Sequence, residues 1–141
     1  MDPAWPHREE VFVLDLPVAM ASLETGRLAL LSYLQPFDLG ARLINRVEVV
    51  LEELVSNVVR HAQDAGNLTI EAERTGPAIL LAVEDDGAAF NPLGVPEPPL
   101  FDSLGDAMLG GQGIPLIKRL SQSVRYERRE ARNRIVALIA G

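Results

Sequence analysis

The 141-residue chain contains no cysteine, which excludes a disulfide framework and thiolate chemistry. Its two histidines, His7 and His61, stand far apart, so no zinc-ligand spacing is present and catalytic zinc is not expected. Basic charge is in deficit: 13 Lys and Arg face 20 Asp and Glu, a net charge of −7. That balance disfavours a general nucleic-acid binder, which has to neutralise phosphates, although Arg125, Arg128, Arg129, Arg132 and Arg134 form a local basic stretch. No apolar run approaches the roughly 20 residues of a membrane span, and the opening MDPAWPHREE has no basic-then-apolar signal pattern. A cytoplasmic protein without membrane or direct nucleic-acid contacts is therefore expected. No GxxxxGK occurs, nor any internal repeat or low-complexity tract.

The composition that remains is ordinary for a soluble globular protein, at 48% hydrophobic and 23% charged residues. A chain of this length is expected to form one domain, residues 1–141, burying about two-thirds of its unfolded surface.

The most strongly periodic stretch is RLINRVEVVLEELVSNVVRHA, residues 42–62. At about 100° per residue, Ile44, Val47, Val50, Leu51, Leu54, Val55, Val58 and Ala62 share one apolar arc, with Arg46, Glu53, Asn57 and Arg60 opposite. Glu53, Asn57 and His61 are spaced by four, and climb from the polar side to the edge of that arc. An acid, an amide and an imidazole so aligned suit a ligand resting on the helix; a merely solvated face is the plainer alternative.

Around this helix the chain reads in order. Residues 10–16 form a strand ending before Pro17. A helix follows from Val18 to about Gln35, with Gly26 as a local weakness, and Pro36 ends it. Asp38 or Gly40 caps the central helix. Leu68–Arg74 and Ala78–Glu84 form a hairpin turning at Thr75, Gly76 and Pro77. The second of these strands is apolar almost throughout and belongs inside the sheet. Residues 88–110, with Pro92, Pro96, Pro98 and Pro99, lack periodicity over a length that suggests a lid. A short helix from about Ile114 to Leu120 and a hairpin, Ser123–Arg129 and Arg134–Ile139, around a turn at Glu130–Asn133 complete the chain. This order predicts an α+β fold, a two-layer sandwich with helices on one face of a mixed, mainly antiparallel sheet.

Two further features bear chemistry. Asp85 and Asp86 end the buried strand just before Gly87. Such residues often only punctuate a turn, but a carboxylate there can accept from an exocyclic amine of adenine, while Gly87 lets a flat ring approach. Gly110, Gly111 and Gly113 precede the short helix, where exposed amides and the helix dipole suit phosphates. GGQGIPLI lacks both the P-loop Lys-Ser/Thr and the third glycine of a dinucleotide fingerprint.

The ordered set Glu53-x-x-x-Asn57, Val83-x-Asp85-x-Gly87-x-x-Phe90-x-Pro92 and Gly111-x-Gly113-Ile-x-Leu-Ile resembles the GHKL (Bergerat-type) ATP-binding domain. Within that superfamily, EELVSNVVRHA, VEDDGAAFNP, GGQGIPLIKRL and YERREARNRIVAL resemble the anti-sigma-factor serine kinases, over most of residues 8–140. The resemblance implies ATP and Mg²⁺ as cofactors. It implies Glu53 as general base, Asn57 as the Mg²⁺ ligand, and Asp85 as reader of the adenine amine. Gly87, Gly111 and Gly113 would surround the nucleotide, with His61 near the phosphates. It further implies an anti-sigma factor and protein serine kinase that phosphorylates a STAS-domain antagonist, binds an RNA polymerase sigma factor in turn, and forms a homodimer. The chain departs from the motif at Ala89, where a second glycine is usual, and at Asn91, where an acid often precedes the proline. A nucleotide-gated partner-binding module without kinase activity is the alternative, and the ATP-binding half of a histidine kinase a third.

Overall fold

The computed structural model describes residues 11–62, 64–94 and 113–141. Among these described residues there are five strands, β1 (Phe12–Pro17), β2 (Asn67–Thr75), β3 (Ala78–Asp85), β4 (Ser123–Arg129) and β5 (Arg132–Ala140). They form one sheet in the order β1-β2-β3-β5-β4, and every pairing is antiparallel. Among the described residues the α-helices are α1 (Ala21–Leu34), α2 (Ala41–His61) and α3 (Gly113–Leu120), with short 3-10 turns at Gln35–Phe37 and Pro92–Gly94. The α+β sandwich expected from the sequence is present.

Alternation along the strands places the core. Leu68, Ile70 and Ala72 of β2, Ile79, Leu81 and Val83 of β3, and Ile135, Ala137 and Ile139 of β5 are all buried. Their register puts them side by side on one face, because successive side chains of a strand point to opposite faces. Against that face lies α2, whose Val47, Val50, Leu51 and Val55 have no exposed surface. Each fully buried side chain of this kind contributes roughly 1.5–3 kcal/mol relative to exposure. The apolar arc of α2 thus fixes which way its polar ladder points. α1 packs on α2 and β1, and α3 on α2 and β4. Gly26 is more than a weakness in α1: a Cβ there would fall 2.6 Å from Ile70 Cδ1, so the glycine permits a close approach of helix to sheet.

On the opposite face the sheet holds charge. Arg134 Nη1 lies 3.1 Å from Glu71 and 3.7 Å from Glu84, and its Nε lies 3.6 Å from Glu127. These partners join β2, β3 and β4 across β5, so the basic stretch near the end of the chain is partly consumed in tying the sheet together.

Two boundaries differ from expectation, and a third is decided between its two alternatives. Pro17 belongs to β1, opposite Asn67; β1 is an edge strand, where a missing N–H is tolerated. Gly40, not Asp38, caps α2, with φ 87° and no side-chain bond, while Asp38 itself takes a left-handed conformation at φ 53°. The last hairpin turns on two residues only. Glu130 and Ala131 both sit at positive φ, 54° and 62°, as a type I′ turn requires. Asn133, expected in the turn, is instead a β5 residue opposite Arg128.

A left-handed conformation costs a non-glycine residue roughly 1–2 kcal/mol, of which glycine's greater unfolded-state entropy returns about 0.5–1 kcal/mol. Ala131→Gly is therefore expected to raise the thermal midpoint by about 2–4 °C. A lower midpoint in a melting experiment would contradict the turn geometry.

Candidate functional site

A cavity opens between the carboxyl half of α2, the ends of β3 and β5, and the segment after β3. Leu54 and Val58 form its helix wall, Val83 and Ile135 its floor, and Phe90 and Pro92 its far side. Asn57, Asp85 and Asn133 supply its polar groups. Asn57 reaches the rim because the α2 ladder leaves the apolar arc there, and Asp85 enters because it continues the inward face of Ile79, Leu81 and Val83.

The two adjacent aspartates have separate tasks. Asp86 is exposed, and its Oδ1 accepts from the backbone N–H groups of Gly66 at 2.8 Å and Asn67 at 3.0 Å. These bonds, that from Asn67 foremost, hold its carboxyl below the usual aspartate range, with Arg132 assisting. It ties the end of β3 to the start of β2. Asp85 is only 6% exposed. Its Oδ1 accepts from Gly87 N–H at 2.9 Å and from Asn133 Nδ2 at 3.0 Å. Both bonds fall on Oδ1, which leaves Oδ2 as the free acceptor of a residue that lines the cavity. A buried carboxylate with one anchored and one open oxygen is suited to accept from a ligand N–H.

Glu53 lies one turn before Asn57 on α2. A Cβ on Gly113 would meet Glu53 Oε1 at 2.9 Å, so the carboxylate rests against the first residue of α3 and Gly113 makes room for it. Burial pushes the Glu53 carboxyl up from its ordinary value; neighbouring Glu52 adds to this, and Arg60 opposes it. His61 is exposed at the end of α2, its ring centroid 6.1 Å from that of Phe90, beside the cavity mouth. Gly87 is buried; its N–H binds Asp85 and its carbonyl accepts from Arg128 Nη1 at 2.9 Å. Asn57 and Asp85 thus line one cavity, Gly87 is bonded to Asp85, His61 lies near the cavity residue Phe90, and Glu53 meets Gly113 one turn earlier on α2. Gly111 and the expected lid beyond Gly94 lie outside the described residues.

Sequence reasoning missed Asn133, which is 4% exposed and meets Asp85, Ala88, Phe90, Tyr126 and Arg128. The signal was a period of two. Asn133, Ile135, Ala137 and Ile139 share one face, so the asparagine continues an apolar series inward, as Asp85 does on β3.

The donor set can be matched to a magnesium nucleotide. A buried carboxylate among apolar lining residues suits the amine of a purine, and the amide oxygen of Asn57 is a hard ligand of the kind magnesium takes. No group of three His, Cys, Asp or Glu able to hold a metal occurs among the described residues. Magnesium commonly keeps water and phosphate ligands and needs only one or two from protein, so Asn57 fits a metal delivered with a nucleotide.

Residues 16–139 match the family of histidine kinase-like ATPase domains. The chain belongs to that family. Among curated proteins, this histidine kinase-like ATPase domain is 32% identical over 99 residues to the serine/threonine-protein kinase BtrW of Bordetella bronchiseptica (strain ATCC BAA-588 / NCTC 13252 / RB50), covering 68% of the chain and 70% of BtrW. It is 35% identical over 81 residues to the alginate biosynthesis sensor protein KinB of Pseudomonas aeruginosa, covering 55% of the chain but 13% of KinB. The solved structure of the Acinetobacter baumannii histidine kinase AdeS superposes with a TM-score of 0.45 at 20% identity, over 92% of this chain and 67% of that one. No helix among the described residues is long and apolar enough to cross a membrane.

The raised Glu53 carboxyl has a stability consequence with a definite sign. A carboxyl whose folded value is raised favours the fold while protonated, fully so below its unfolded value, and this contribution is lost as pH rises through the folded value. At neutral pH the ionised group therefore weakens the fold. Glu53→Gln is expected to melt above the wild type at pH 7.5 and level with it near pH 4; a variant melting lower at pH 7.5 contradicts the burial assigned to Glu53.

Proposed function

We propose that this histidine kinase-like ATPase domain is a protein serine kinase using Mg-ATP. The observation that best supports it is the pairing of a buried, half-anchored Asp85 with Asn57 across one cavity, while Glu53 stands a turn away beside Gly113. In this reading Asp85 Oδ2 accepts the adenine amine between the apolar walls. When bound, Mg²⁺ neutralises phosphate charge and is held on the protein side by Asn57. The remaining task for the chain is positioning and proton transfer, because phosphoryl transfer needs little covalent help.

Glu53 would accept the proton of the substrate serine hydroxyl as its oxygen bonds to the γ-phosphorus of ATP and the bond to the bridging oxygen breaks to release ADP. Burial raises the basicity of its carboxylate toward the range where a general base works best. Gly113, by leaving space for that carboxylate, positions it without contacting the substrate. His61 at the cavity mouth and the amides around Gly111 and Gly113 are assigned to the phosphates, on the resemblance of their motifs.

The serine specificity is supported by the similarity to BtrW, itself named a serine/threonine-protein kinase. The regulatory reading rests on the resemblance of EELVSNVVRHA, VEDDGAAFNP and YERREARNRIVAL to the anti-sigma-factor kinases. By it the substrate is a STAS-domain antagonist, the alternative partner is a sigma factor, and the acting form is a homodimer. Phosphorylation of the antagonist would weaken that complex and leave the kinase free for sigma.

Radiolabelled transfer from Mg-ATP to the STAS-domain proteins of the same genome tests this. One protein is expected to be labelled on serine, with the rate falling at least about 100-fold in Glu53→Ala and in Asn57→Ala. ATP binding without labelling of any of them would instead favour a nucleotide-gated binding module.

A further inference from the structure

Asn133 has no role in the nucleotide reading above, yet all of its hydrogen-bonding capacity is spent inside the protein. Its Nδ2 donates to Asp85 Oδ1 at 3.0 Å and to the Ala88 carbonyl at 2.8 Å. Its Oδ1 accepts from the Phe90 N–H at 3.1 Å, the Tyr126 hydroxyl at 2.6 Å and Arg128 Nη1 at 3.1 Å. Reversing the amide would set its N–H groups against two obligate donors, Phe90 N–H and Arg128, and its oxygen against a carboxylate and a carbonyl, so one orientation is dictated. Nothing remains for Asn133 to offer a ligand. Its influence on one passes through the groups it holds.

Those groups are the Asp85 carboxylate and the backbone at Ala88 and Phe90. Arg128, through the same nitrogen that reaches Asn133, also binds the Gly87 carbonyl at 2.9 Å. The last hairpin therefore grips the chain from Asp85 to Phe90, where it passes along the cavity. The terminal torsion of an aspartate is broad, and only the anchoring of Oδ1 decides where Oδ2 points.

We propose that Asn133 is a positioning residue that sets base specificity: by anchoring Asp85 Oδ1 it turns Oδ2 toward the cavity, selecting a purine that presents an amine. The proposal rests on the nucleotide reading and adds to it the group that determines which base enters. Without Asn133 only the Gly87 N–H still holds Oδ1, and a carboxylate held by one bond in place of two distinguishes an amine from a carbonyl less well.

Isothermal titration of the full chain with Mg-ATP and with Mg-ITP, whose base carries a carbonyl in place of the amine, provides the test. Asn133→Ala is expected to lose about 10- to 100-fold in ATP affinity, as for a buried bond to a charged group, and less for ITP, so that the ATP:ITP preference shrinks. Asn133→Asp is isosteric and sets a second carboxylate about 3.0 Å from Asp85 Oδ1. Carboxylates so close share one proton, which at low pH takes the place of the amide N–H. The other groups facing that position are Arg128 and Tyr126 from β4 and, across the cavity, the uncharged Asn57. Its ATP affinity should lie within about threefold of wild type at pH 5 and fall at least tenfold below it at pH 8. Tyr126→Phe, which keeps the packing and removes one donor to Oδ1, should cost about 2- to 10-fold.

Wild-type ATP:ITP preference in Asn133→Ala, or an Asn133→Asp loss that is the same at both pH values, overturns the proposal. If Asn133→Ala melts below the working temperature, the other two variants decide, and unchanged affinity in both overturns it. A wild-type protein that binds neither nucleotide overturns the nucleotide reading itself.

Discussion

A carboxylate buried at the end of an apolar strand is the constraint on which the rest of this site depends. Burying an ionisable group is costly unless its hydrogen bonds are made, and Asp85 sits at 6% exposure on the inward face of β3. The fold satisfies one of its oxygens, through Gly87 and Asn133, and leaves the other at a cavity. Asp86, its neighbour, ties the end of β3 to the start of β2 instead. Separation of the two roles gives the cavity its acceptor.

The wall facing that acceptor is fixed by packing. α2 presents a broad apolar face to β3 and β5, with four of its residues sealed completely, so the helix cannot rotate without exposing core. Its ladder of Glu53, Asn57 and His61 is consequently aimed by the core residues on the other side of the same helix. Gly113 then brings α3 close enough to confine Glu53, which raises the carboxyl's proton affinity. The weakening of the fold by ionised Glu53 and the basicity required of it have the same physical origin.

Much of this was legible in the sequence, for reasons that differ by residue. The period of α2 is long and regular, so its bounds and buried face were read within a residue or so, and its polar ladder followed. Asp85 stood out because it ends an apolar strand. Asn133 did not, because a tight turn was expected to be longer than two residues, and neither Glu130 nor Ala131 advertises the positive φ that both adopt. A two-residue turn shifts the register so that Asn133 faces inward beside Asp85. Pro17 was misread for a related reason: its effect depends on whether its strand lies at an edge, and strand order is a tertiary fact. The role of Gly26 was likewise invisible, since a glycine in a helix reads as weakness until the side chain of Ile70 is seen against it.

The most direct single measurement is the affinity of the wild-type protein for Mg-ATP compared with the triphosphate of purine riboside, which lacks the exocyclic amine. If Asp85 Oδ2 accepts from that amine in a buried cavity, ATP binds roughly tenfold or more tightly, the difference expected for a hydrogen bond to a buried charged group. Equal affinity for the two would contradict adenine recognition through Asp85, and with it the functional reading built on this cavity.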